Sequence, residues 1–174
     1  MNDHVVPMNR MLASITPFLF ALVGVIVANL PVTFLGGLVP APLFALMPVY
    51  FWCLMRPDLM PPYVVFAIGV LEDFFSGSPP GVWTLSFVAM YALVDRQRDA
   101  FAGLAGAAAV VGFGAATLVA CGVAYLVAGF IFGHLPPVGN IAMEIAMTVV
   151  FYIPVLPLLN RLHHSLIGPS RSDF

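Results

Sequence analysis

The 174-residue chain is 61% hydrophobic and 8% charged, with a mean hydropathy of +1.04 and a formal net charge of −2. Soluble domains carry about 25% charged residues, and an apolar excess spread along the whole length cannot be hidden in one core of this size, so lipid must solvate most of the chain. Six arginines and no lysine exclude a basic surface for nucleic acid. Cys53 and Cys121 lie inside apolar runs, where Cys acts as a small buried hydrophobe and suggests neither a disulfide framework nor a metal pair.

Punctuation by Pro, Gly and charge predicts an all-α, polytopic helix bundle. Its apolar runs fall at about 11–30, 38–55, 60–76, 80–94, 101–133 and 141–160 of a single domain, 1–174. The first run, Met11 to Leu30, follows a single Arg10 and precedes no small-x-small cleavage site. It is also longer than the roughly 7–15 residues of a cleavable signal, so a retained span is expected. The second run ends at Arg56-Pro57-Asp58.

The third and fourth runs form a short hairpin. Between Asp58 and Glu72 lie 13 residues, roughly 20 Å of helix against a hydrocarbon core of about 30 Å. Six full spans, or four spans plus a re-entrant hairpin, both fit this length. The hairpin corner reads GVLEDFFSGSPPG, from Gly69 to Gly81, with Glu72 and Asp73 side by side. Adjacent helical residues point about 100° apart, so at most one of the two is expected to face the bundle squarely. A carboxylate at that depth needs hydrogen-bond donors or a proton. The nearest donors are the backbone N–H groups opening the next helix, at about Pro80 or Gly81, with Ser78 placed as an N-cap. Asp73 is therefore expected to tie the end of the third helix to the start of the fourth. The alternative ends the helix at Leu71 and leaves both acids in headgroup water.

The fifth run, Phe101 to Gly133, holds 33 uncharged residues. That is more than one span needs, and predicts one long helix, tilted or broken near Gly112 and Gly114. Its small-residue pairs Gly103 and Ala107, Gly112 and Ala116, and Gly129 and Gly133 suit close helix packing, within the bundle or against another membrane protein. In the sixth run, Pro154 and Pro157 should kink or end the helix. Glu144 there is a lone intramembrane acid and, with Glu72, a candidate polar cluster.

With a cytoplasmic N-terminus, an even number of crossings puts all six arginines on the cytoplasmic side, in the tails 1–10 and 161–174 and the inner loops. The opposite loops contain none, as the positive-inside rule requires. Trp52, Tyr63 and Tyr91 near inner ends, and Trp83 near the outer end, sit where interfacial anchors sit, whereas Tyr125 and Tyr152 suit bundle packing. No catalytic set, cofactor or metal site is expected. Paired-carboxylate chemistry needs two acids converging from different helices. Ser76 and Ser78 have no helix-borne His beside them, and His163-His164 lies across the membrane.

Gly69-x-x-x-Asp73-x-x-x-Gly77-x-x-x-Gly81, with Pro79 in its last interval, resembles the signature of the rod shape-determining MreD family. The whole chain matches that family in length, span count and near absence of extramembrane loops. One departure stands after Gly81, where the family often carries a basic or His residue and this chain has Trp83-Thr84. The resemblance implies a non-catalytic scaffold of the bacterial elongation machinery, in the inner membrane with MreC and the MreB filament. A RodA-type glycosyltransferase and a class B penicillin-binding transpeptidase would be nearby. It also implies a fold similar to the substrate-binding subunits of energy-coupling-factor transporters. A substrate-binding transport subunit is the alternative function, with Glu72, Asp73, Asn140 and Glu144 lining an outward pocket.

Overall fold

A computed structural model describes residues 6–30, 40–98, 100 and 107–166, with side chains for 15–30, 40–98, 100 and 108–163. Among the described residues the fold is all-helical: α1 (Val6–Ala28), α2 (Leu46–Met55), α3 (Pro62–Ser76), α4 (Val82–Arg96), α5 (Ala107–Phe132) and α6 (Val138–Leu166). Residues 40–45 of the second apolar run are not helical, because Pro40 and Pro42 lack the N–H that an incipient helix would use. Helix α2 begins only at Leu46, after Phe44 and Leu46 close a short turn onto Pro42 and Leu43. At 1.5 Å per residue, α2 is roughly 15 Å long and α3 and α4 roughly 22 Å each, all short of the bilayer core. Helices α5 and α6 are long and apolar enough to cross it over Ala108–Phe132 and Val138–His163.

The structure selects among the alternatives that the sequence left for these long helices. Helix α5 runs unbroken through Gly112 and Gly114, and α6 continues past Pro154 and Pro157 to Leu166. A proline's lost bond and ring clash are local, and a helix with many other ladder bonds on either side survives them.

The helices alternate in direction between two ends. Phe51 on α2 lies 6.0 Å, ring to ring, from His163 on α6, and Cys53 is close enough to Arg98, just past α4, to feel its charge. The C-termini of α2, α4 and α6 therefore share one end, which carries Arg56, Arg96, Arg98 and Arg161. At the other end Asn29, just past α1, meets Glu72 near the end of α3. There the end of α5 also meets the starts of α4 and α6.

The core is aromatic. Tyr50 on α2 packs edge-on against Phe113 of α5 at 5.3 Å, and Phe113 stacks on Tyr152 of α6 at 3.8 Å. Trp52, placed by the sequence at the interface, is instead fully buried against Phe20 and Phe51. Tyr63 is 73% exposed, as an anchor would be. Elsewhere the outward faces are greasy: only 11% of the spanning window of α6 is buried, and Val150, Ile153 and Leu158 are exposed. Water would penalise that surface at about 25 cal/mol per Å², so its solvent is lipid. The short Arg56–Asp58 loop is clipped by a two-pronged contact, Nε to Oδ1 at 3.1 Å and Nη2 to Oδ2 at 3.0 Å. The Arg56 guanidinium holds the Asp58 carboxyl below the usual carboxylate range.

Candidate structural site at the α3–α4 corner

Helix α3 continues past Leu71 to Ser76, so Glu72 and Asp73 are both inside the helix, and both are buried, at 3% and 5% exposure. The expectation that only one could face inward fails because two different neighbours flank the helix end. Glu72 points to α1 and Asp73 to α4. The headgroup-water alternative is excluded by the same burial.

Asp73 accepts five hydrogen bonds. Its Oδ1 receives the Trp83 N–H at 2.7 Å and the Ser78 hydroxyl at 3.1 Å. Its Oδ2 receives the Gly81 N–H at 2.8 Å, the Thr84 N–H at 3.2 Å and the Thr84 hydroxyl at 2.6 Å. Five donors on two oxygens suit an ionised, acceptor-only carboxylate. The first N–H groups of any helix lack intrahelical partners, and in hydrocarbon each unsatisfied one costs several kcal/mol. Here every one is accounted for: Val82 N–H turns back to Pro79 O, and Leu85 N–H takes Gly81 O. The positive end of the α4 dipole adds to the attraction.

Ser78 is not the N-cap expected for it. Gly81 occupies that position, without a side chain, and the helix opens at Val82 rather than at Pro80 or Gly81. The cap comes instead from the preceding helix, and Ser78, itself bonded by Ser76 at 2.9 Å, supports it from the turn. The glycines make the corner geometrically feasible. Gly77 and Gly81 have φ of +64° and +103°, left-handed conformations in which a Cβ is strained. Gly69 answers a different need: a Cβ there would lie 2.6 Å from Thr84 Cα, so only glycine lets α3 and α4 approach closely enough for the Asp73 bonds. Pro79 supplies the carbonyl that Val82 uses.

Glu72 receives the Asn29 side-chain N–H at 3.1 Å on Oε1, while its buried Oε2 has no partner among the described residues. Asn29 was not singled out by the sequence; a polar residue closing an apolar run opposite an acid was its only signal. No hydrogen bond joins Glu144 to Glu72. Glu144 instead lines a cavity of about 200 Å³ between the first turn of α4, the last turns of α5 and the first turns of α6. On another face of the hairpin an open apolar groove of about 660 Å³ runs beside Phe66, Val70, Phe74 and Leu85. Asn140 is exposed.

The small residues of α5 divide. Gly112 and Ala116 are buried inside the bundle with Ala120 and Ala124. Gly129 abuts the Leu135 side chain, and Gly133 ends the helix in open space. Gly103 lies outside the described residues. No group of three or more His, Cys, Asp or Glu positioned for a metal ion occurs among the described residues.

A family model described as "rod shape-determining protein MreD" matches residues 8–162. No curated protein and no solved structure matches the chain.

Proposed function

Because the chain belongs to the rod shape-determining MreD family, we propose that it serves as a non-catalytic inner-membrane scaffold of the cell-wall elongation complex, maintaining cell shape and organising peptidoglycan synthesis. The observation that carries this reading is the use made of Asp73. The charged residue of the family signature spends its acceptor capacity on closing a helical hairpin, which leaves it no role in substrate chemistry. The remaining surface is apolar helix and short loop, which suits recognition within the bilayer. Both termini are cytoplasmic in this proposal, since the arginine-bearing end of the bundle belongs inside. The partners are those of the family: MreC directly, the MreB filament indirectly, and the RodA-type glycosyltransferase and class B transpeptidase in the same assembly.

A substrate-binding transport subunit is less well supported. Of the four polar residues proposed to line its pocket, Asp73 is committed to the hairpin and Glu72 to Asn29. The cavity at Glu144 is smaller than the roughly 300–1,000 Å³ usual for small-molecule sites. The deciding experiment is a mild-detergent pull-down from native membrane, with proteins and small molecules identified by mass spectrometry. Recovery of a single-span periplasmic partner and wall-synthesis enzymes supports the scaffold. A co-purified ATPase pair with a bound metabolite overturns it.

A further inference from the structure

The cavity at Glu144 has a chemistry of its own. Its walls include Trp83, Tyr125, Phe132, Cys121 and the Glu144 side chain. Glu144 is partly exposed and makes no hydrogen bond among the described residues. A carboxylate with three aromatic side chains around a small space is the arrangement that takes an organic cation, through charge and through the negative faces of the rings. A primary ammonium adds three N–H donors for the carboxylate and the tyrosine oxygen. No described arginine can fill the place, because Arg56, Arg96, Arg98 and Arg161 lie at the other end of the bundle, and the chain has no lysine.

The position of the cavity selects the source of that cation. It opens among the ends of α4, α5 and α6, and Glu144 lies roughly 9 Å along α6 from its first residue, Val138. The positive end of the long α6 helix stands above the carboxylate and favours an anion there. The exposed His134 ring, stacked on Phe132 of the cavity wall at 6.2 Å, stands at the same rim. An anion-favouring rim over a cation-favouring floor matches a zwitterion whose phosphate is outermost.

We propose that this cavity binds the ammonium of an aminophospholipid headgroup, phosphatidylethanolamine or a lipid of the same charge pattern. The site is coupled to the hairpin corner, because the backbone N–H of Trp83 is held by Asp73 while its side chain forms cavity wall.

The test uses the full-length protein in nanodiscs containing phosphatidylethanolamine and phosphatidylglycerol at equal mole fraction, with retained lipid counted by native mass spectrometry after release. The expected result is an enrichment of phosphatidylethanolamine on the order of fivefold to thirtyfold, the range of a partly desolvated cation–π contact. Glu144→Gln should abolish the enrichment, and Trp83→Leu should reduce it. Equal retention of the two lipids by the unmodified protein overturns the proposal without recourse to any variant, as does an enrichment that survives Glu144→Gln. A further arm adds aqueous ethanolamine to discs of phosphatidylglycerol alone and reads the melting temperature. Stabilisation there, with no lipid enrichment in the first arm, would assign the ammonium to a soluble amine and overturn the lipid as its source. None of these readouts depends on partner proteins, so the scaffold reading can fail while this one stands.

Discussion

At the scale of single residues, the five bonds to Asp73 make its substitutions predictable in order. In Asp73→Asn the amide oxygen is best placed at the Oδ2 site, where it still accepts from Gly81 and Thr84. The Ser78 hydroxyl can rotate, so one backbone N–H, that of Trp83, is left without an acceptor. The cost is about 1–3 kcal/mol, and the variant should fold with a lowered melting temperature in detergent. Asp73→Leu strands three backbone N–H groups at once, and its abundance in the membrane should fall to near nothing. Equal abundance of both variants with the parent would refute the clamp. The sequence made the acid, its depth and its destination legible, because a carboxylate at that point in an apolar run has few possible donors. It did not disclose that Gly81 takes the N-cap position in place of Ser78, since glycine in a left-handed conformation leaves no pattern that propensity can read.

At the scale of elements, close approach governs. Gly69→Ala would put a methyl group against the Thr84 backbone, and overpacking of this kind costs about 1–3 kcal/mol. Gly122→Ala, on α5, meets nothing within 4 Å and removes a helix-weakening glycine. Thermal unfolding in detergent should therefore show Gly69→Ala destabilised and Gly122→Ala unchanged or improved. A second link joins the segment before α2 to α6, where the Thr148 hydroxyl accepts the Leu43 N–H at 3.0 Å in the core. Thr148→Val should lose roughly 1–3 kcal/mol by leaving that donor buried and unpaired, and Thr148→Ser should restore it. The sequence predicted every apolar run, yet not how much of each becomes helix. Proline at 40 and 42 delays α2, while proline at 154 and 157 leaves α6 continuous, and only the neighbouring packing decides between these outcomes.

For the whole molecule, the pattern of burial makes a simple test of packing in lipid. Cys53 is buried in the core, so in a Cys121→Ser variant a membrane-impermeant maleimide should leave it unlabelled in intact membranes and reach it only after denaturation. Labelling of Cys53 in the folded protein would mean that the bundle is looser than its aromatic core implies. Composition alone was enough to identify lipid as the solvent. The division of the surface into two ends was legible in the arginines, because charge is so scarce here that its few positions carry the whole pattern. The cavity at Glu144 was not legible, since it is assembled from three helices distant in sequence.

The hydrogen bonds also imply an order of construction. All the partners of Asp73 lie within 11 residues of it, whereas the Asn29–Glu72 bond spans 43 residues and the Leu43–Thr148 bond spans 105. Short separations close first because less chain entropy is lost. The hairpin can therefore satisfy its own polar groups as soon as Thr84 has left the ribosome, and it can leave the insertion machinery as a sealed wedge. Glu72 has its Asn29 partner already synthesised and waiting. The Leu43 N–H, by contrast, has to wait for its acceptor until the last helix, which carries Thr148, has been made.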